Sequence, residues 1–409
     1  MLRCLALSTF CFLFVLTVQA HAQQTLSLQA DSTRWNLQGE AKTAEYQGRK
    51  CLLVDGGAAV INDLEMRDGI VDVDVAIPSR PAGPAGRGFF GIEFRVADDG
   101  RSGEFVYLRR HKSGLPDAMQ YMPILGGGLT WQIYNGPGFT GALDIPTDVW
   151  FHLRLVVTGA QAKLYVSDMD KAALVMDDLK SGVQKGALAL AVLRGKTYFS
   201  NFEVRLTPDS PWERHAPQTP AGTLTRWSLS PSYDAVKRNL ERPLTSAESS
   251  EIHWQDVEAE APGVVVINRY RESPEVAVTF AHDYSKRLEP QPGMRLVYAR
   301  TTINSDRDEV KKLYIGYSDE VSVFLNGAIL FRGRSAQNFR DPEFLGIVDA
   351  EDDAVYLPLK KGNNELMLAV SDLGGGWGFI CRLAVVGDSE IGVGNLKSLQ
   401  RRAVTLRRS

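Results

Sequence analysis

The chain has 409 residues, 23% of them charged, and a formal net charge of -3. That length exceeds what one hydrophobic core usually organises, and a prior of one domain per ~150 residues gives two or three. The near balance of charge lacks the basic field that nucleic-acid binding requires, so no nucleic-acid partner is expected.

At the start, Arg3 precedes an apolar run from Cys4 to Val18, and Ala20-His21-Ala22 has the small-x-small form of a cleavage site. Residues 1–22 are therefore expected to be a secretory signal peptide cut before Gln23. The run is shorter than the ~20 apolar residues of a membrane anchor, and no later segment replaces it, so no integral membrane segment is expected. Cys11 follows Phe10, where lipoprotein processing wants a small residue. The expected destination is periplasmic or extracellular. Cys4 and Cys11 leave with the signal. Cys51 and Cys381 remain in different predicted domains and read as separately buried thiols rather than a bridge.

From about Glu45 onward, short alternating or β-branched runs are separated by Gly, Asp, Asn and Pro, the spacing of an all-β protein. Strands are predicted at Ile70–Ile77, Gly88–Ala97, Glu104–His111, Leu129–Asn135, Trp150–Thr158, Ala162–Ser167, Ala187–Leu193 and Tyr198–Leu206, enough for a two-sheet jelly roll. Pro208, Pro211, Pro217 and Pro220 then mark an extended connection. Beyond it lie predicted strands at Val264–Ile267, Val276–Phe280, Leu296–Ile303, Lys312–Tyr317, Ala354–Leu357, Glu365–Val370 and Phe379–Val386. Among them Val321, Val323 and Leu325 alternate up to Asn326-Gly327, and the chain returns through Ala328-Ile329-Leu330-Phe331, a tight hairpin. The expected organisation is a first jelly roll over 23–206, a Pro-rich linker over 207–226, a second β-sandwich over 227–387 and a basic tail over 388–409.

Two resemblances add to this reading. Trp150–Gly159, Ala162–Val166, Asp178-Leu179-Lys180-Ser181-Gly182 and Tyr198-Phe199-Ser200-Asn201-Phe202 resemble the C-terminal half of a concanavalin-A-like lectin/glucanase or laminin-G-like jelly roll, and the related keto-disaccharide hydrolase family. The Asn326-Gly327 hairpin, Leu357–Leu366 and Gly374-Gly375-Gly376-Trp377-Gly378 resemble the galactose-binding-like β-sandwich modules found beside carbohydrate-active domains. Together they imply an oligosaccharide or polysaccharide partner, without fixing a chemistry.

Glucanases of this kind place Glu-x-Asp-x-x-Glu on one strand. Here the strand reads Asp72-Val73-Asp74-Val75-Ala76-Ile77, with the two aspartates ~7 Å apart on one face and Ile77 where that family keeps its proton donor. No catalytic residue is assigned, and the aspartates read as solvent-facing residues opposite a buried valine row. The scattered histidines offer no zinc ligand set. Asp98-Asp99-Gly100 suits a turn as well as a weak calcium site, and no cofactor is expected. The triplets Gly126–Gly128 and Gly374–Gly376 lead into no helix and read as turns, not phosphate loops.

The favoured ligand-binding surface lies on Glu104–His111, where Phe105, Tyr107, Arg109 and His111 share a face opposite Val106 and Leu108. Gln120 and Tyr121, then Gln132 and Tyr134 on the strand predicted at Leu129–Asn135, add amides and phenols. In the second domain Trp377 offers a ring for stacking on a sugar, although a Trp there also suits a sandwich core. Flat aromatics and planar polar groups are what sugar recognition uses. The preferred reading is thus a secreted, non-catalytic carbohydrate-binding protein with the second sandwich as accessory. The alternatives are a glycoside hydrolase of keto-disaccharide or glucanase type using Glu93 or Glu104, and a cell-surface protein-interaction module.

Overall fold

Apolar side chains at every second position put Val71, Val73, Val75 and Ile77 into one core with Leu153, Leu155 and Val157 from a neighbouring strand. The computed structural model describes residues 24–79, 86–272, 293–341 and 343–385. The predicted signal peptide and basic tail, and the strand expected at Val276–Phe280, lie outside the described residues.

The first sandwich begins with β1 (Thr25–Leu28), β2 (Trp35–Tyr46), β3 (Arg49–Ile61) and β4 (Gly69–Ala76). It continues through β5 (Phe89–Val96), β6 (Gly103–Arg109), β7 (Met119–Ile124), β8 (Thr140–Gly141) and β9 (Trp150–Thr158). It closes with β10 (Gln161–Val166), β11 (Leu174–Met176), β12 (Ala187–Arg194) and β13 (Thr197–Leu206). The order β11-β10-β9-β4-β13-β3-β12-β5-β6-β7-β8 is one continuous antiparallel sheet, with β1 on β13 and β2 on β3. It makes two layers because β3 turns a corner. Leu52–Val54 pair with β13, whereas Gly57–Val60 pair with β12. Gly57 sits at that corner with φ of 135°, where a Cβ would lie 2.1 Å from the carbonyl oxygen of Gln38, so no other residue fits.

The second sandwich opens with β14 (Arg226–Leu229), β15 (Tyr233–Asp234), α1 (Ser246–Glu251), β16 (Gln255–Glu258) and β17 (Val264–Val266). After these come β18 (Arg295–Ser305), β19 (Glu309–Tyr317), β20 (Glu320–Leu325) and β21 (Ala328–Arg334), then β22 (Asp353–Leu359), β23 (Gly362–Asp372) and β24 (Gly378–Leu383). The sheet β16-β14-β18-β23-β20-β21 packs on the sheet β17-β24-β19-β22. Trp227, Leu313, Val323, Leu368, Trp377 and Phe379 fill the space between them. The predicted hairpin is β20–β21, with φ of 50° at Asn326 and 79° at Gly327, the doubly positive turn that matches strand twist.

Several expectations change, and β1, β3, β8, β11 and β14 to β16 are strands beyond those predicted. Leu129–Asn135 is not a strand but a loop with turns, in which the amides of Ile133 and Tyr134 bond back to Thr130 and that of Gln132 to Gly375, with no neighbouring strand. β2 was not anticipated, because it is largely exposed, carries Gln38, Glu40, Lys42 and Glu45, and gives little apolar alternation. Nor was β7, whose fully buried Met-Gln-Tyr-Met-Pro-Ile shows no period of two and contains a proline. Cys51 and Cys381 are both buried and unbridged. Among the described residues no helix is long and apolar enough to cross a membrane.

The start of the linker is tied to the first sandwich by a buried ion pair. Arg95, fully buried, donates to Asp68 at 2.9 Å and to the carbonyl of Gly159 at 2.7 Å, while Asp68 accepts from the amide of Ser210 at 2.7 Å. The guanidinium also lies 4.8 Å from the ring centre of Trp212. Removing one member of such a pair strands the other charge. Arg95→Met is expected to cost about 3–5 kcal/mol in urea unfolding; a loss below about 1 kcal/mol would show that the pair does not hold this corner together.

Candidate functional site

β6 has two different faces, as its alternation predicted. Val106 and Leu108 join the main core, and Phe105 and Tyr107 form a separate outer cluster with Met122, Ile124 and Ala191. Register builds that outer face in rows. One row runs Ala58, Ala191, Gly91, Tyr107, Gln120, and the next runs Val60, Ala189, Glu93, Phe105, Met122. Two methyl groups and a glycine therefore form a low floor that rises at Tyr107. Gly91 is required there, since a Cβ would sit 2.0 Å from the carbonyl oxygen of Val106. In that floor Ala191 and Gly91 are buried and Ala58 is half-buried. Half-buried groups stand around it: Phe89, Glu93, His111, Leu129 and Trp131.

The expected polar groups do converge here, but they bond to each other. Gln120 Oε1 accepts from the Tyr107 hydroxyl at 2.9 Å and from Arg109, and Gln120 Nε2 donates to the carbonyls of Trp131 at 2.9 Å and Tyr134 at 2.7 Å. Arg109 also donates to Asp117 at 2.9 Å and lies 5.6 Å from the Trp131 ring centre. Tyr107, Arg109 and Gln120 are thus buried in this structure rather than presented to solvent, and internal hydrogen bonds offset the cost of burying them. β6 ends at Arg109, and His111 falls in a short 3-10 turn with its ring 5.0 Å from that of Phe89. Burial, then the charges of Arg87, Lys112 and Arg109, push the His111 pKa down to about 4.

The other predicted residues separate. Tyr121 points to the inner side, where its hydroxyl donates to Glu104 at 2.8 Å. Gln132 and Tyr134 reach the second sandwich. The Gln132 amide donates to the carbonyl of Gly375 at 2.9 Å, its side chain donates to the carbonyl of Leu345 at 3.1 Å, and the Tyr134 hydroxyl donates to Glu260 at 2.9 Å. Glu260 is also paired with Arg269, which donates to the carbonyl of Lys180 at 2.6 Å. Trp377 is fully buried in the second core, its indole N–H directed at the carbonyl of Val370 at 3.3 Å.

The carboxylates sort in the same way. Asp72 and Asp74 do lie opposite the buried valine row, but they are not simply solvated. His152 bridges them with two contacts of 2.8 Å, and Arg154 binds Asp72 at 2.7 Å. Burial raises the Asp72 carboxyl, but the His152 and Arg154 contacts outweigh it and hold the pKa at about 2. Glu104 is fully buried on the core side, its oxygens taken by Tyr121 and Ser181; burial still pushes it up to about 7. Glu93, on the outer face, is pushed to about 7 by burial alone. Asp98-Asp99-Gly100 forms the β5–β6 turn, the Gly100 amide donating to the carbonyl of Ala97 at 2.8 Å. Among the described residues no group of three or more His, Cys, Asp or Glu is arranged to hold a metal.

Sequence reasoning passed over Phe89, Trp131 and the Ala58–Ala191–Gly91 floor. Alternation of Phe89, Gly91 and Glu93 against Phe90, Ile92 and Phe94 was the signal available for two of these positions. No family model matches the chain, and no curated protein matches it. Several solved structures resemble it over part of its length. A carbohydrate-binding module from Bacillus subtilis is 18% identical, covering 42% of this chain and 96% of the module, with a TM-score of 0.31. A protein of unknown function with a galectin-like fold from Bacillus subtilis is 13% identical, covering 45% of this chain and 100% of its own, with a TM-score of 0.32. A glycosidic hydrolase is 11% identical, covering 46% of this chain and 97% of its own, with a TM-score of 0.31. Likeness at this level assigns neither family nor activity.

The raised pKa of Glu93 has a measurable sign. Folding holds its proton from the ordinary value of 4.5 up to about 7, so the native state binds more protons than the unfolded chain and stability falls as pH rises through that window. Glu93→Gln should gain on the wild type between pH 5 and pH 8 in urea unfolding; an equal difference at both pH values would mean that Glu93 is not desolvated.

Proposed function

We propose that the protein is an exported carbohydrate-binding protein that takes a glycan on the half-buried groups rimming the outer face of β3, β12, β5 and β6, with the second sandwich as an accessory module. The observation that carries this reading is the half-buried Trp131 and Phe89 beside a floor of small side chains. A sugar ring needs a flat apolar surface for its C–H face, together with polar groups that do not move when it arrives. Gln120 and Arg109 immobilise the wall on which Trp131 stands. Export rests on the reading of residues 1–22.

Isothermal titration against the hits of a broad glycan array tests this. Trp131→Ala is expected to weaken binding about tenfold, the ~1.4 kcal/mol appropriate to one stacking ring. An array without a single hit sinks the reading.

Glu93 favours one second reading. A carboxyl that stays partly protonated near neutrality is suited to donate to a leaving glycosidic oxygen. Glu104 is less suited, because its partners occupy it beneath the sheet. Release of reducing sugar that Glu93→Gln abolishes, with binding retained, would make the protein a hydrolase.

A further inference from the structure

We infer that Asp319 and Asp372 share a proton beneath the glycine loop on which Trp131 rests, and that this pair makes the glycan site pH-dependent, held in acid and loosened as pH rises. The link to glycan rests on the carbohydrate reading above and adds a regulator to its site.

The pair arises where two strands end. Glu320 of β20 stands opposite Ser371 of β23, so Asp319, just before the one, and Asp372, just after the other, leave the sheet side by side. Both are buried, as are Ser318 and Ser371 next to them. Asp319 Oδ2 accepts from the amide of Leu373 at 2.7 Å, and Asp372 Oδ1 accepts from the amide of Gly374 at 2.8 Å. Two consecutive amides thus hold the carboxyls together, and the carboxyls are hydrogen-bonded to each other. Such a bond needs a proton on one of them, since a carboxylate only accepts.

The charged and titratable groups around the pair are engaged elsewhere. Arg295 of β18 stands opposite Asp372 but donates to the Ser232 hydroxyl at 2.9 Å, Arg334 of β21 is paired with Glu320, and the Tyr317 hydroxyl of β19 donates to Asp353 at 2.7 Å. Among the described residues neither Asp319 nor Asp372 forms an ion pair. Two adjacent buried carboxyls without a cation repel each other when both are ionised. Burial pushes Asp372 up to about 6, and burial followed by the charges of Asp372 and Glu320 pushes Asp319 well above its ordinary 3.8.

The pair supports the loop over residues 373–376. Gly374, Gly375 and Gly376 have φ of 130°, 103° and 135°, conformations that glycine enters freely, so the loop has little stiffness of its own. At its far end the Ser318 hydroxyl donates to the carbonyl of Gly376, and the amide of the core residue Trp377 donates to Asn268 Oδ1 at 2.6 Å. Between these pins the Gly375 carbonyl accepts from the Gln132 amide at 2.9 Å. A Cβ on Gly375 would lie 3.0 Å from Trp131 Nε1, and one on Gly376 would lie 2.9 Å from the Ile133 side chain. The loop backbone therefore abuts residues 131–133, including the ring on which glycan binding is proposed to depend. In an opened loop the carboxyls regain ordinary values, so the closed form binds more protons. Its stability is full below the ordinary 3.8 and is lost as pH rises through the native values, about 6 for Asp372 and higher for Asp319.

Amide hydrogen exchange of the purified protein at about pH 5.5 and about pH 8.5, corrected for intrinsic rates, tests this. Protection of the Gln132, Leu373 and Gly374 amides is expected to fall at least about tenfold in the wild type. Asp319→Asn puts an amide where the protonated carboxyl stands, donating to Asp372 and accepting from Leu373 with no proton to lose, and should keep protection equal at both pH values. Asp372→Asn should do the same from the other side, and it decides the matter if the first variant does not fold. Glycan affinity should fall about fivefold over the same range in the wild type and stay constant in Asp319→Asn, which leaves Glu93 unchanged. Equal wild-type protection at both pH values overturns the inference, as does a pH dependence that persists in both Asn variants. Glycan affinity that ignores pH while protection falls overturns the link to the site. If protection behaves as expected and no glycan binds, the proton-sharing pair stands and the carbohydrate reading alone falls.

Discussion

One carboxamide carries much of this architecture. A glutamine side chain has two acceptor sites and two donors, and Gln120 uses all four within the fold, toward Tyr107, Arg109 and the carbonyls of Trp131 and Tyr134. Two of those contacts fix side chains on the outer sheet face, and two hold the loop after β7. That loop in turn carries Trp131 to the edge of the floor and Gln132 and Tyr134 to the second sandwich. The wall of the candidate site and the contact between sandwiches thus share a single anchor. A buried network that is fully satisfied in this way specifies one arrangement, whereas a partly satisfied one would be a liability.

Glu93 and Glu104 show how position sets meaning for the same side chain. Both are lifted to about 7 by burial. Glu104 lies on the inner side of β6 and is held by Tyr121 and Ser181, so its carboxyl braces the packing of the Asp178–Gly182 segment. On the outer side the strand partners of Glu93 are Ala189 and Phe105, neither of which offers it a side-chain hydrogen bond. A desolvated carboxyl without compensation is a cost to the fold, and such costs persist most often where a ligand relieves them.

The fold was legible where the chemistry is local. Asn326-Gly327 dictates its own turn, and the Val71–Ile77 alternation reports its own burial. Opposite faces of β6 were legible for the same reason. The run Leu129–Asn135 misled because Leu129, Trp131 and Ile133 alternate as a strand would, while the run's backbone partners are the Gln120 side chain, its own Thr130, and Gly375 and Val348 of the second sandwich. Burial of the polar set was also out of reach. Tyr107, Arg109 and Gln120 look like a solvent-facing cleft until their mutual hydrogen bonds are seen, and no sequence spacing encodes a contact between β6 and a loop twenty residues later. Small residues such as Ala58 and Ala191 carry no signal until neighbouring strands align them.

The prolines between the sandwiches suggest a tether, yet the segment is fastened at Asp68, Trp212 and Arg214 before it leaves the first sandwich. The sandwiches then meet again through Tyr134, Glu260 and Arg269 and through the apolar contacts of Ile133, Val264 and Ile380. Packed side chains therefore join the two halves in addition to the chain between them. Tension applied to one sandwich would pass to the other through side chains packed face to face, and the proline segment would bear little of it.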